Sequence, residues 1–369
     1  MQRSREPGID RLRFLAAYFV VCIHVFPVLV DLNPRPPAGP AFPSLLMYAL
    51  VLCAVNCFGL ISGYLGYREE ETRIRWSSLL QIWLELVLFR VLFLLLPAAA
   101  GYTSVPLQDV FLPVTRRVNW YITAYFEMML FAPLINRVVR GNSRGMNGLM
   151  TAGLLLFFCV VPLAGAMLNA DPFRLDGGYS WMWLGALYFL GAGIKKEKWL
   201  SRTRTRSLWL GLAVCLVLSA LWARLAPLPF GPERFPGTQW KVLLSYPSLT
   251  LTAASLCMLE LCRRSKPGRL EQRWLRIAAP ASLGVFLIHT TLFWLLVPLL
   301  KMLRVPQAFA VPAVFAASLV VAVLCVLIDA LRAALFRLAH VKALTDGVQA
   351  RIYAFCDAAA SRLETSGKT

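Results

Sequence analysis

The stretch Gly8-Ile9-Asp10-Arg11-Leu12-Arg13 opens the chain and leads into a mostly apolar run to Val30 that contains His24. Arg13 and His24 lie eleven residues apart. On a helix that is about 16 Å of rise, and the hydrocarbon core of a bilayer is about 30 Å thick. With Arg13 at one mouth of a membrane helix, His24 falls near the middle of the membrane. An ionisable side chain there is costly, and its default reading is functional.

The rest of the chain fits this opening. Of 369 residues, 58% are hydrophobic and 15% are charged, far less charge than a soluble domain carries. The apolar residues come in long blocks divided by short basic or Pro/Gly-rich stretches. The fold class predicted is an all-α integral membrane protein, a bundle of about ten transmembrane helices. Net charge is +19, from 38 Lys and Arg against 19 Asp and Glu. In a soluble protein that excess suggests nucleic acid; in a membrane protein it is the positive-inside bias, and no nucleic-acid partner is expected. All nine cysteines but Cys356 fall in apolar blocks or at their ends. That argues against a disulfide framework and against a metal site. The basic, then apolar N-terminus lacks a convincing small-residue cleavage site, so the first span is read as retained.

Ten candidate helices follow, roughly 12–30, 44–66, 77–97, 120–138, 148–168, 180–194, 207–225, 242–262, 280–300 and 310–334. With the N-terminus inside, the inner segments hold 28 of the 38 Lys and Arg, the outer segments nine, and Arg90 lies within a span. This split predicts both termini in the cytoplasm. The outer segments are rich in turn-formers, as in Asn33-Pro34-Arg35-Pro36-Pro37 and Phe235-Pro236-Gly237. The chain divides into a transmembrane domain over 1–338 and a cytoplasmic tail over 339–369. In the tail Val341, Leu344, Val348, Ile352, Phe355, Ala359 and Leu363 recur at helical spacing. They predict an amphipathic helix lying on the inner leaflet; binding a partner is the alternative.

The residues suited to chemistry sit inside or at the ends of the spans. His24 is either bonded to a neighbouring helix or a general base or nucleophile, and neutral imidazole suits the latter role. Asp10 and Arg13, three apart, can pair on one face. Arg13 is then an inner anchor or faces an anionic ligand. Arg73 and Arg75 stand at the predicted inner mouth, where a guanidinium pair either orients the protein or holds phosphate. Glu85 and Arg90 point in different directions, and each should face the bundle interior. Trp120, Tyr125 and Glu127 open the fourth span from outside, and His289 is a second intramembrane imidazole. Trp120 is an interface-belt residue or a platform for a sugar ring.

Together these residues resemble the acyltransferase-3 family of bacterial membrane acyltransferases. The likeness rests on Asp10, Arg13 and His24, on Phe58 to Gly63 with Ser62-Gly63 at the end of the second span, on the Arg73–Arg75 pair, and on Trp120 and His289. It covers roughly residues 8–335. The resemblance implies transfer of an acyl group, commonly acetyl, from acyl-CoA to a sugar hydroxyl of a cell-surface or lipid-linked glycan at the bacterial inner membrane. In that picture Arg13, Arg73 and Arg75 hold the phosphates of cytosolic acyl-CoA, and His24 acts as general base or acyl carrier. Trp120, Tyr125, Glu127 and His289 receive the acceptor. The family commonly has a glutamate-rich fourth span; here Trp120-Tyr121-Ile122-Thr123 stands in its place, with Glu127 further on. A transporter or flippase for a lipid-linked glycan is the rival class, since it also uses buried His, Glu and Arg.

Overall fold

A computed structural model of the chain describes residues 6–30, 32, 41–70, 73–99, 101, 106–168, 170–225, 239–302 and 305–366. The loops read as turn-rich at 33–37 and 227–237 lie outside the described residues. All regular structure among the described residues is helical. The main helices are α1 (Pro7–Leu29), α2 (Phe42–Gly66), α3 (Trp76–Arg90), α4 (Trp120–Gly141), α5 (Arg144–Leu155), α6 (Trp181–Glu197), α7 (Thr205–Leu225), α8 (Leu249–Arg264), α9 (Arg269–Ala278), α10 (Ser282–Met302), α11 (Ala310–Leu338) and α12 (Val341–Ser366). Helices α3 and α5 each run on through a π-helical turn, Val91–Leu95 and Leu156–Val160.

Among the described residues eight helices are long and apolar enough to cross a membrane, or nine if the bent pair α9–α10 counts as one span. The expected ten is not reached, for two local reasons. The sixth candidate, α6, has 17 residues, the short limit for a span. The ninth, α10, is counted only together with α9, from which it is bent by 68° at Ala279-Pro280-Ala281, where proline has no N–H to continue the ladder.

Small residues let the central helices close on one another. Helix α2 packs on α6 through Gly59, Gly63 and Gly191. A Cβ at Gly63 would run into the Tyr188 carbonyl, and one at Gly191 into the Leu60 carbonyl. This is the close backbone approach by which membrane helices gain contact without a hydrophobic driving force. Helix α1 lies in the centre, against α2, α8, α10 and α11. Its first turn is fixed by polar contacts. The Arg11 guanidinium donates to the Glu271 carboxylate at 2.6 Å through Nη2, and Lys195 Nζ reaches Glu6 at 2.7 Å.

The tail forms the expected helix, α12, and it docks on the first turns of α3. Ser77 is the hub: its N–H donates to Gln349 at 3.0 Å and its hydroxyl meets Thr345 at 3.1 Å. Gln81 donates to Thr345 at 3.0 Å, and the Tyr353 hydroxyl donates to the Ile74 carbonyl at 2.8 Å. The apolar stripe Leu344, Val348, Phe355 and Leu363 is left exposed.

Candidate functional site: two cavities and a pair of histidines

Two cavities lie in the bundle. The first, about 1070 Å³, is walled by the start of α3, the ends of α1 and α2 that bear Arg13 and Gly66, the middle of α4, the start of α10, and α12. Five cations, Arg13, Arg68, Arg73, Arg75 and Lys342, line it against one carboxylate, Asp346. The second, about 720 Å³, is walled by the middle of α1, the far half of α3, the first turn of α4 and the middle of α10. Phe286 lines both.

All three arginines expected to act together therefore share the first cavity. Arg13 is placed by the helical spacing of α1 and keeps its i,i+3 partner Asp10 at 3.5 Å. Arg73 sits 3.0 Å from Asp357 and over the Tyr353 ring, 5.2 Å from its centroid. Ser62 lines the same cavity and turns its hydroxyl back onto the Phe58 carbonyl at 2.8 Å. A guanidinium cluster around a cavity of this size suits a ligand that carries several phosphates.

His24 lines the second cavity and is exposed to it. Its ring centroid lies 5.0 Å from that of His289. Pro27, one turn on, cannot donate to the Ile23 carbonyl, so α1 is locally freed beside the histidine. His289 is 2% exposed. Its Nδ1 is 2.7 Å from the Phe286 carbonyl and 3.1 Å from the Val285 carbonyl. A carbonyl only accepts, so Nδ1 carries the proton and the neutral ring presents a lone pair at Nε2. That Nε2 is buried and has no partner among the described residues. Two imidazoles at this spacing give the cavity proton acceptors.

Trp120 also lines the second cavity, on the first turn of α4, where the Asn119 side chain accepts the Ile122 N–H at 3.3 Å and caps the helix. Its ring meets Tyr179 at 4.4 Å and stacks on Tyr246 at 6.2 Å. Tyr125, placed with Trp120 by the sequence reading, lines the first cavity instead, because it is more than a turn further along α4. Glu127 is half-buried and is not among the described residues lining either cavity. Arg90 lines the second cavity, whereas Glu85 joins Arg332 at 3.5 Å and, through it, Asp329.

A model of the acyltransferase domain of the acyltransferase-3 family matches residues 6–328. The chain belongs to that family. As an acyltransferase-3 protein it is a membrane acyltransferase, and the match runs through every residue of the second cavity. Comparison with curated proteins and with solved structures finds no match. Helix α12 falls beyond the family match. The residues missed in the sequence are Phe286, Tyr179, Tyr246, Lys342 and Tyr353. The two cavity tyrosines lie in irregular segments flanking helices; Gly178, at φ 100°, is the one local sign that the chain turns tightly beside Tyr246.

Proposed function

We propose that this acyltransferase-3 protein moves an acyl group, acetyl foremost, from cytosolic acyl-CoA to a hydroxyl of an extracytoplasmic or lipid-linked glycan at the inner membrane. The observation that carries the reading is the pairing of a cationic cavity with a histidine-bearing, aromatic one, joined at Phe286. Acyl-CoA is too charged to cross a bilayer, and the five cations suit its phosphates. The pantetheine arm is thin enough to carry the thioester past Phe286 towards His24. From the other side Trp120, Tyr179 and Tyr246 offer ring faces to a sugar.

In this reading His24 takes the proton of the acceptor hydroxyl as its oxygen attacks the thioester carbonyl carbon. The tetrahedral intermediate collapses by breaking the C–S bond. The proton passes from the imidazolium to the departing thiolate, so ester and free CoA form with atoms and charge balanced. The unpartnered Nε2 of His289 belongs to a ring 5.0 Å, centroid to centroid, from the His24 ring on which charge would grow, which suits it to orient or share that proton. The alternative step, acylation of His24 itself followed by transfer, uses the same geometry.

The test is chemical. Purified protein in lipid is expected to release CoA from acetyl-CoA, and to place the acetyl group on a glycan acceptor isolated from the same membrane. A transporter or flippase would leave acetyl-CoA intact. In this reading both termini lie in the cytoplasm, on the strength of the 28-to-9 split of Lys and Arg, so reporter fusions near residues 200 and 270 should read inside, and near 108 and 230 outside. Reversal at two of these sites would refute the orientation.

A further inference from the structure

Helix α12 is outside the family match, yet four of its residues, Lys342, Asp346, Gln349 and Tyr353, line the cationic cavity. Its two faces differ. The apolar stripe with Leu344, Val348, Phe355 and Leu363 is exposed, as a helix resting on a leaflet requires. The polar face is held against α3 by Ser77, Gln81 and the Ile74 carbonyl. The helix thus closes one side of the cavity, and without it that wall is open.

Arg73 is the point where tail and cavity meet. Asp357 lies 3.0 Å from it, and the Tyr353 ring lies under its guanidinium. The Arg73 and Asp357 side chains are 50% and 59% exposed. A pair that open adds little to stability. What it does fix is where the guanidinium points, at the rim of a cavity lined by four other cations.

We propose that α12 is a working part of the acyl-donor site. Lys342 extends the cationic wall, and Tyr353 with Asp357 positions Arg73 for the phosphates of acyl-CoA. This rests on reading the first cavity as the acyl-CoA site, so the test separates the two.

Coenzyme A itself is the probe, with binding measured on the purified full-length chain in lipid nanodiscs. Variants are a chain ending at Ala339, Lys342→Ala, Tyr353→Ala and Tyr353→Phe. The truncated chain is expected to bind coenzyme A about tenfold or more weakly, the scale of one charge-assisted contact. Lys342→Ala should weaken binding several-fold and flatten its salt dependence, as the loss of one phosphate-facing charge requires. Tyr353→Ala should raise KM for acetyl-CoA with kcat kept, whereas Tyr353→Phe, which retains the ring under Arg73, should recover most of the affinity. Wild-type affinity in both the truncated chain and Lys342→Ala overturns the proposal while leaving the donor site standing. If the full-length chain does not bind coenzyme A at all, the donor reading itself fails and this inference falls with it. Should the truncated chain not insert, the three point variants on the exposed helix decide the matter.

Discussion

His24 and His289 share a cavity wall but have different surroundings, and the proposed function gives them different work. His289 is sealed in, with Nδ1 committed to backbone carbonyls. His24 is open to the cavity and free to meet an acceptor. His24→Gln, which retains hydrogen bonding but cannot carry the proton, is expected to lower turnover by about 10²–10⁴-fold. Coenzyme A binding in the cationic cavity should be unchanged. His289→Gln should cost less, because the substitution removes a neighbour of the base and not the base. A larger loss for His289→Gln than for His24→Gln, read from single-turnover rates, would exchange the two roles. His24 and Arg13 were legible in the sequence because one regular helix carries both, and helical rise alone converts their spacing into depth. Tyr179 and Tyr246 were not legible. They reach Trp120 from segments distant in sequence, through turns whose course no periodicity encodes.

At the scale of elements, the second ionisable cluster shows what a buried charge needs. Glu85 on α3, and Asp329 and Arg332 on α11, meet in the bundle, with Arg332 donating to Asp329 at 2.8 and 2.9 Å. Asp329 packs against Gly284 of α10, where a Cβ would collide with its carboxylate. Three helices therefore converge on one guanidinium. Removing it in Arg332→Leu strands two carboxylates away from water. That is expected to destabilise the fold by about 3–5 kcal/mol, read as a lower midpoint of thermal unfolding in detergent. Adding Glu85→Gln should recover part of the loss, since one uncompensated charge is then gone. Equal midpoints for wild type and Arg332→Leu would show that the triad is not a brace. The sequence placed Glu85 inside a span and facing the interior. It did not name Arg332 as partner, because the two lie far apart in the chain and opposite charges carry no address. The tail was likewise legible as an amphipathic helix through its spacing, whereas the face it turns to α3 follows from Ser77 and Gln81, polar residues at the mouth of another span.

For the whole molecule, the two cavities and what separates them matter most. Phe286 stands in the wall common to both, with Tyr121 at 5.0 Å, Phe58 at 6.4 Å and His289 at 5.9 Å between ring centroids. Rings at these distances are in packing contact. They stand between the two cavities as a partition of packed rings. Phe286 is 8% exposed, so shortening it opens a gap where the packing was tight. In the proposed function such a partition would keep the donor side and the acceptor side apart between turnovers. Phe286→Ala is therefore expected to join the cavities. The measurement is a cysteine at Thr291, which lines the histidine-bearing cavity, in a background with Cys356→Ser to remove the exposed native thiol. A small, charged, membrane-impermeant thiosulfonate applied from the face of Arg13 and Arg73 should label Thr291→Cys slowly or not at all when Phe286 is present. It should label it readily when Phe286 is Ala. The same opening admits water to the thioester, so acetyl-CoA hydrolysis without acceptor should rise relative to transfer. Labelling that ignores residue 286 would mean that the barrier between the cavities lies elsewhere among these rings, and Tyr121 of α4 would be the next to shorten.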